Sequence, residues 1–82
     1  MLAKIHVTFK KGVLDPQGKA VHHALNDLGY AEVKHVNVGK YMEVRLEGLS
    51  EEEARTRVRE MCEKLLANTV IESYGFTLTP AE

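Results

Sequence analysis

The chain has one cysteine, Cys62, and almost no net charge. A single thiol excludes an intrachain disulfide, and with it the stapled class of small secreted domains. Eleven Lys+Arg against twelve Asp+Glu give a formal net charge of −1. That balance argues against a nucleic-acid module, which is usually strongly basic. No apolar run approaches the roughly 18–20 residues of a membrane span. Met1 to Phe9 alternate polar and apolar residues, unlike the continuous apolar centre of an export signal. A free thiol without such a signal points to the cytosol.

Eighty-two residues leave room for one domain over 1–82 and for no separate catalytic domain. A chain this short buries roughly 60–65% of its unfolded surface. Its own core supplies about 3–5 kcal/mol of net stability. With no disulfide, a partner chain is the favoured supplement. At 44% hydrophobic and 28% charged residues, the sequence is that of a folded domain.

Ile5, Val7 and Phe9 alternate with His6 and Thr8, the period of a half-buried strand. Lys10-Lys11-Gly12 breaks it. Asp15 is suited to cap a helix that Pro16 opens, and Ala20, Val21, Ala24, Leu25 and Leu28 give that helix an apolar face. Gly29 supplies a left-handed stop. Val36 and Val38, then Met42, Val44 and Leu46, return to a period of two. Gly39-Lys40 between them suits a tight hairpin. Ser50 with Glu53 forms a capping box. Ala54, Val58, Met61, Cys62, Leu65 and Leu66 trace a second helical stripe, which Asn68 ends. Tyr74, Phe76 and Leu78 form a last strand.

The order β-α-β-β-α-β predicts an α+β, ferredoxin-like two-layer sandwich, an antiparallel sheet with two helices on one face. The open face would carry Lys4, His6, Thr8, Asn37, Glu43, Arg45, Glu47 and Thr77. Such a mixed face reads equally as a docking surface or as a solvated one.

The residues that could carry chemistry have simpler readings. Cys62 lies on the apolar stripe, as a packed core cysteine would. His22 and His23 are adjacent on a helix, so they point about 100° apart and do not share an ion easily. His6 and His35 have no ligand-spaced partners. Glu51-Glu52-Glu53 complement the positive end of the helix dipole, and Arg55, Arg57 and Arg59 can pair with them. The stretch Lys10 to Lys19 could bind an anion or be a structural loop and cap. It lacks the spacing of a P-loop. An acylphosphatase-type site would want an arginine where this loop has lysines. An RNA-recognition sheet would want aromatics where His6, Thr8, Glu43 and Arg45 stand. An ACT-like regulatory domain, binding a small molecule near Gly12 to Gly18, stays open as the alternative.

Over nearly its whole length the sequence resembles the PurS family, the small subunits of phosphoribosylformylglycinamidine synthase. The family pattern Lys-Pro-Gly-Val-Leu-Asp-Pro-Gln-Gly reads here as Lys10 through Gly18. Val38-Gly39-Lys40 followed by Glu43, Met61 through Asn68, and Val70-Ile71-Glu72 also match. Lys11 and Thr69 stand where prolines are usual, which loosens two turns but removes no chemical group.

The resemblance implies a subunit of an ATP- and glutamine-dependent carbon–nitrogen ligase, with no catalytic residue and no metal of its own. Its partners would be a large synthetase subunit (PurL), which holds ATP and magnesium, and a glutaminase subunit (PurQ). This chain would bind no cofactor. It would bridge the two, assist ammonia transfer, and form a homodimer or higher homo-oligomer; apart from the resemblance, an unpaired edge strand suits joining another copy, and Val70 to Thr79 is the candidate. On this reading Lys10, Lys11, Gly12, Asp15, Gln17, Gly18, Lys19, Gly39 and Lys40 are the partner-contact residues.

Overall fold

The period-two and helical stretches become five elements: strand β1 (Leu2–Phe9), helix α1 (Pro16–Asp27), strand β2 (Lys40–Arg45), helix α2 (Glu51–Met61) and strand β3 (Glu72–Thr79). The structure is a computed structural model that describes residues 1–80, so the last two residues of the domain expected over 1–82 lie outside the described residues. The strands form an antiparallel sheet ordered β2-β1-β3, with β1 in the middle.

Register explains the core. Ile5 sits opposite Met42 on one side and Phe76 on the other, and Ala3 sits opposite Val44 and Leu78. Directly opposed residues share a face, so these side chains make one apolar surface. Helix α2 lies against it and buries Ala54 and Val58, with Cys62 just beyond. The helix starts at the expected capping box: Ser50 Oγ accepts from the Glu53 amide at 3.2 Å, and Glu53 Oε1 accepts from the Ser50 amide at 3.0 Å. Glu51 and Arg55 pair at 3.3 Å on the solvated side.

The opposite face of the sheet carries Lys4, His6, Thr8, Glu43, Arg45 and Thr77, as the alternation predicts. The His6 and Tyr41 rings meet there at 5.0 Å. Asn37 and Glu47, expected on that face, lie outside the strands.

The α+β class, the antiparallel sheet and the two helices match the sequence reading; the strand count does not. Residues 33–39 form no regular element and join no sheet, so there is no hairpin at Gly39-Lys40. Helix α1 also departs from the expected sandwich, because none of its residues enters the apolar core cluster. Instead α1 and residues 33–39 are tied together as an arm. The radius of gyration is 16.1 Å, against about 12 Å for a compact chain of this length, and the principal extents are 50 × 30 × 14 Å.

A second departure lies after α2. The chain continues from Met61 into a π turn over Cys62–Leu66, closed by the Ala67 amide donating to the Cys62 carbonyl at 3.0 Å. The wider turn shifts the side-chain phase. Leu65, expected on the buried stripe, is 82% exposed, while Cys62 and Ala67 are buried. Asn68 then makes the turn into β3, its Oδ1 accepting from the Val70 amide at 3.2 Å.

Candidate functional site

The arm is held by side chains where a sheet would use a ladder. Asp15 is the helix cap, and its Oδ1 accepts from the Gly18 amide at 2.8 Å. Its Oδ2 accepts from the Val38 amide at 2.9 Å, 23 residues away. One carboxylate thus starts the helix and ties down the returning segment. Farther along, His22 Nε2 donates to the Val33 carbonyl at 3.0 Å, and Asn26 Nδ2 donates to the same carbonyl at 3.2 Å. These bonds satisfy backbone groups of 33–38 that a fourth strand would have paired. The period-two pattern there signals extended backbone, and the partner of that backbone is a helix.

The amides of Val38 and then Gly18 hold the Asp15 carboxyl below its ordinary value of 3.8. A carboxylate whose folded value is lowered stabilises the fold above its unfolded value, and that contribution disappears as the pH falls through the folded value. The arm tie should therefore be complete above about pH 5 and weaken only in acid, below the unfolded carboxylate value. Amide NMR of Val38 and Gly18 across an acid titration checks this. Movement of both amides well above the ordinary carboxylate range would rule the tie out.

Gly18 is buried because nothing larger fits. A Cβ there would sit 2.3 Å from the Val36 carbonyl oxygen and 2.8 Å from Asp15 Oδ2. Gly39 is similarly crowded: a Cβ would lie 2.4 Å from the Val7 carbonyl oxygen. Gly12 turns the loop with φ +89°, where a side chain would be strained.

Between the β1–α1 loop and the returning segment lies a cleft of about 670 Å³. Six of the nine residues singled out from the sequence line it: Lys10, Lys11, Gly12, Asp15, Gly18 and Lys19. Gln17, exposed on α1, does not. Gly39 and Lys40 stand apart, at the entry to β2, where Lys40 Nζ pairs with Glu72 Oε2 at 3.6 Å. The sequence reading missed His22, His35 and Asn37 as cleft residues. His22 was findable, since it follows Gly18 by one helical turn. His35 and Asn37 depend on the return of 33–38 along α1, which local periodicity does not encode. His35 Nε2 donates to Asn37 Oδ1 at 2.8 Å.

Other candidates resolve simply. Cys62 is fully buried, and burial pushes its thiol up, so it is a poor nucleophile. Among the described residues, no three His, Cys, Asp or Glu side chains are placed to hold a metal ion, and no helix is long and apolar enough to cross a membrane. The arm leaves large apolar side chains uncovered: Leu14, beside the cleft, is 64% exposed and Leu28 74%, with Val21 and Tyr30 also exposed.

Comparison with known proteins agrees with this architecture. The family model of PurS, described as phosphoribosylformylglycinamidine (FGAM) synthase, matches residues 2–80. The phosphoribosylformylglycinamidine synthase subunit PurS of Bacillus subtilis (strain 168) is 55% identical over 73 residues, covering 89% of this chain and 86% of that protein. The crystal structure of Methanocaldococcus jannaschii PurS, described as one of the subunits of formylglycinamide ribonucleotide amidotransferase, superposes with a TM-score of 0.87 at 41% identity, covering 99% of this chain and 98% of that one. A chain in the structure of PurLQS from Thermotoga maritima superposes with a TM-score of 0.81 at 30% identity, covering 94% and 96%.

Proposed function

The chain belongs to the PurS family, and from that premise we propose how it serves phosphoribosylformylglycinamidine synthase. It is a subunit of that ligase of purine biosynthesis. Its role in the cytoplasm is to bridge the glutaminase subunit, PurQ, and the large synthetase subunit, PurL, so that ammonia released at one reaches the other. ATP and magnesium belong to the large subunit, and this chain carries no cofactor. Holding two sites in register raises the local concentration of ammonia and limits its escape to solvent.

The arm is the observation that carries this reading. An apolar helix side left uncovered on an elongated small domain is a surface built for another chain. Part of that cover is a second copy, because the core is too small to leave such a surface in water at no cost. Strand β3 is an edge of the sheet, and its free backbone groups suit joining to another copy.

The test is reconstitution with PurL and PurQ. Glutamine-dependent amidine formation should require the chain, while ammonia-driven formation should not. Lys19 has no side-chain partner among the described residues, so Lys19→Gln should weaken assembly by roughly tenfold (about 1.4 kcal/mol) and leave the fold intact. Lys40→Gln should weaken it too, but it also breaks the pair with Glu72. Sedimentation equilibrium of the chain alone reads the copy number. Glutamine-dependent turnover that ignores the chain, or assembly unchanged with both lysines altered, would refute the bridging role.

A further inference from the structure

The cleft beside α1 gathers positive charge that can act in the isolated chain, apart from the partner contacts proposed for the same loop. Three lysines, Lys10, Lys11 and Lys19, line it together with His22 and His35. None of the three lysines makes an ion pair or side-chain hydrogen bond among the described residues. The one carboxylate in the lining, Asp15, already accepts from two backbone amides, at 2.8 and 2.9 Å. Those amides keep Asp15 ionised, and three lysines against one carboxylate still leave the lining with a positive balance. The α1 terminus is not the source of the positive field, since its Gly18 amide is held by Asp15.

The two histidines add to the pattern. Each already donates from Nε2, to the Val33 carbonyl and to Asn37 Oδ1. An imidazole is neutral or positive, so neither ring brings a negative charge to the cleft. The rest of the wall is apolar, with Phe9, Val13 and Val36. At about 670 Å³ the space lies within the usual range for small-ligand sites, roughly 300–1,000 Å³.

We propose that this cleft binds the phosphate group of a small ligand, with Lys10, Lys11 and Lys19 as its counter-charges and the apolar wall beside them for an organic body. Lysine binds phosphate as a point charge, so no fork geometry is needed. The site shares its loop with the subunit-contact reading but needs no partner chain. Binding is read on the isolated chain and assembly on the complex, so the two fail separately.

The experiment is an amide NMR titration of the full chain, at constant ionic strength, with ribose 5-phosphate, inorganic phosphate and ribose. Both phosphates should give saturable shifts at Gly12, Lys19 and Asn37, and ribose alone should give none. Tighter binding of ribose 5-phosphate would identify a phosphate ester as the ligand, and equal binding would identify the free ion; either supports the site. The double variant Lys11→Gln, Lys19→Gln should weaken binding by about tenfold or more, with its spectrum otherwise unchanged. The proposal is overturned by shifts that do not saturate, by ribose acting as well as the phosphates, or by wild-type affinity in the double variant.

Discussion

Ile5→Ala should lower the thermal midpoint of the chain by roughly 8–40 °C. Ile5 is fully buried at the centre of β1, between Met42 and Phe76. Removing three methyl or methylene groups from such a site costs about 2–5 kcal/mol, because transfer and cavity terms add. In a domain this small each kcal/mol moves the midpoint by about 4–8 °C. The core has few other large buried side chains, namely Val7, Val58 and Cys62, so little is left to collapse into the space. Circular dichroism melts at one fixed protein concentration make the comparison, since association shifts the midpoint by mass action. A drop of only a few degrees would mean that this core is not what holds the chain together.

Gly18→Ala should destabilise the arm, although the same exchange in an ordinary helix stabilises it by about 0.5–1 kcal/mol. The sign reverses because the new methyl meets the Val36 carbonyl oxygen, a backbone atom that no rotamer can move aside. Overpacking of this kind costs about 1–3 kcal/mol. The segment 33–38 must shift, and that strains the bonds from the Val38 amide to Asp15 and from His22 to the Val33 carbonyl. Amide exchange should speed up along 33–38 and in α1, while the central residues of β1 keep their protection. Gly75→Ala is the control, since its Cβ would meet nothing within 4 Å. Slower exchange in the arm of the Gly18 variant would sink the account of how the arm is held.

Much of this was legible in the residues. Alternation located β1 and β3, the Ser50–Glu53 pair marked the start of α2, and Asp15-Pro16 marked the start of α1. The loop Lys10–Lys19 stood out by composition and lines the cleft. Two features escaped for physical reasons. Val36 and Val38 have the pattern of a strand, yet a period of two reports only that alternate side chains are half-buried on an extended backbone. What satisfies that backbone is set by Asp15, His22 and Asn26, from 7 to 23 residues away in the bonds to Val33 and Val38 at the two ends. The apolar stripe of α1 was read as facing the sheet, because a stripe implies a cover without naming the chain that supplies it. The phase change at Cys62–Leu66 has the same character: one wider turn exposes Leu65, and residue type alone does not announce it.

The placing of β1 between β2 and β3 has a consequence for how the chain is made. Leu2 lies opposite Thr79, so the central strand is synthesised first and meets its second neighbour last. Pairing partners that distant in sequence close slowly, because the loop entropy is lost before the contacts form. While the ribosome is still translating β3, one edge of β1 and the apolar face with Ile5 and Val7 stand open. At about 5–20 residues per second, the eight residues of β3 alone take roughly 0.4–1.6 s. Chaperone capture, and encounters between nascent copies on one message, both fall in that interval.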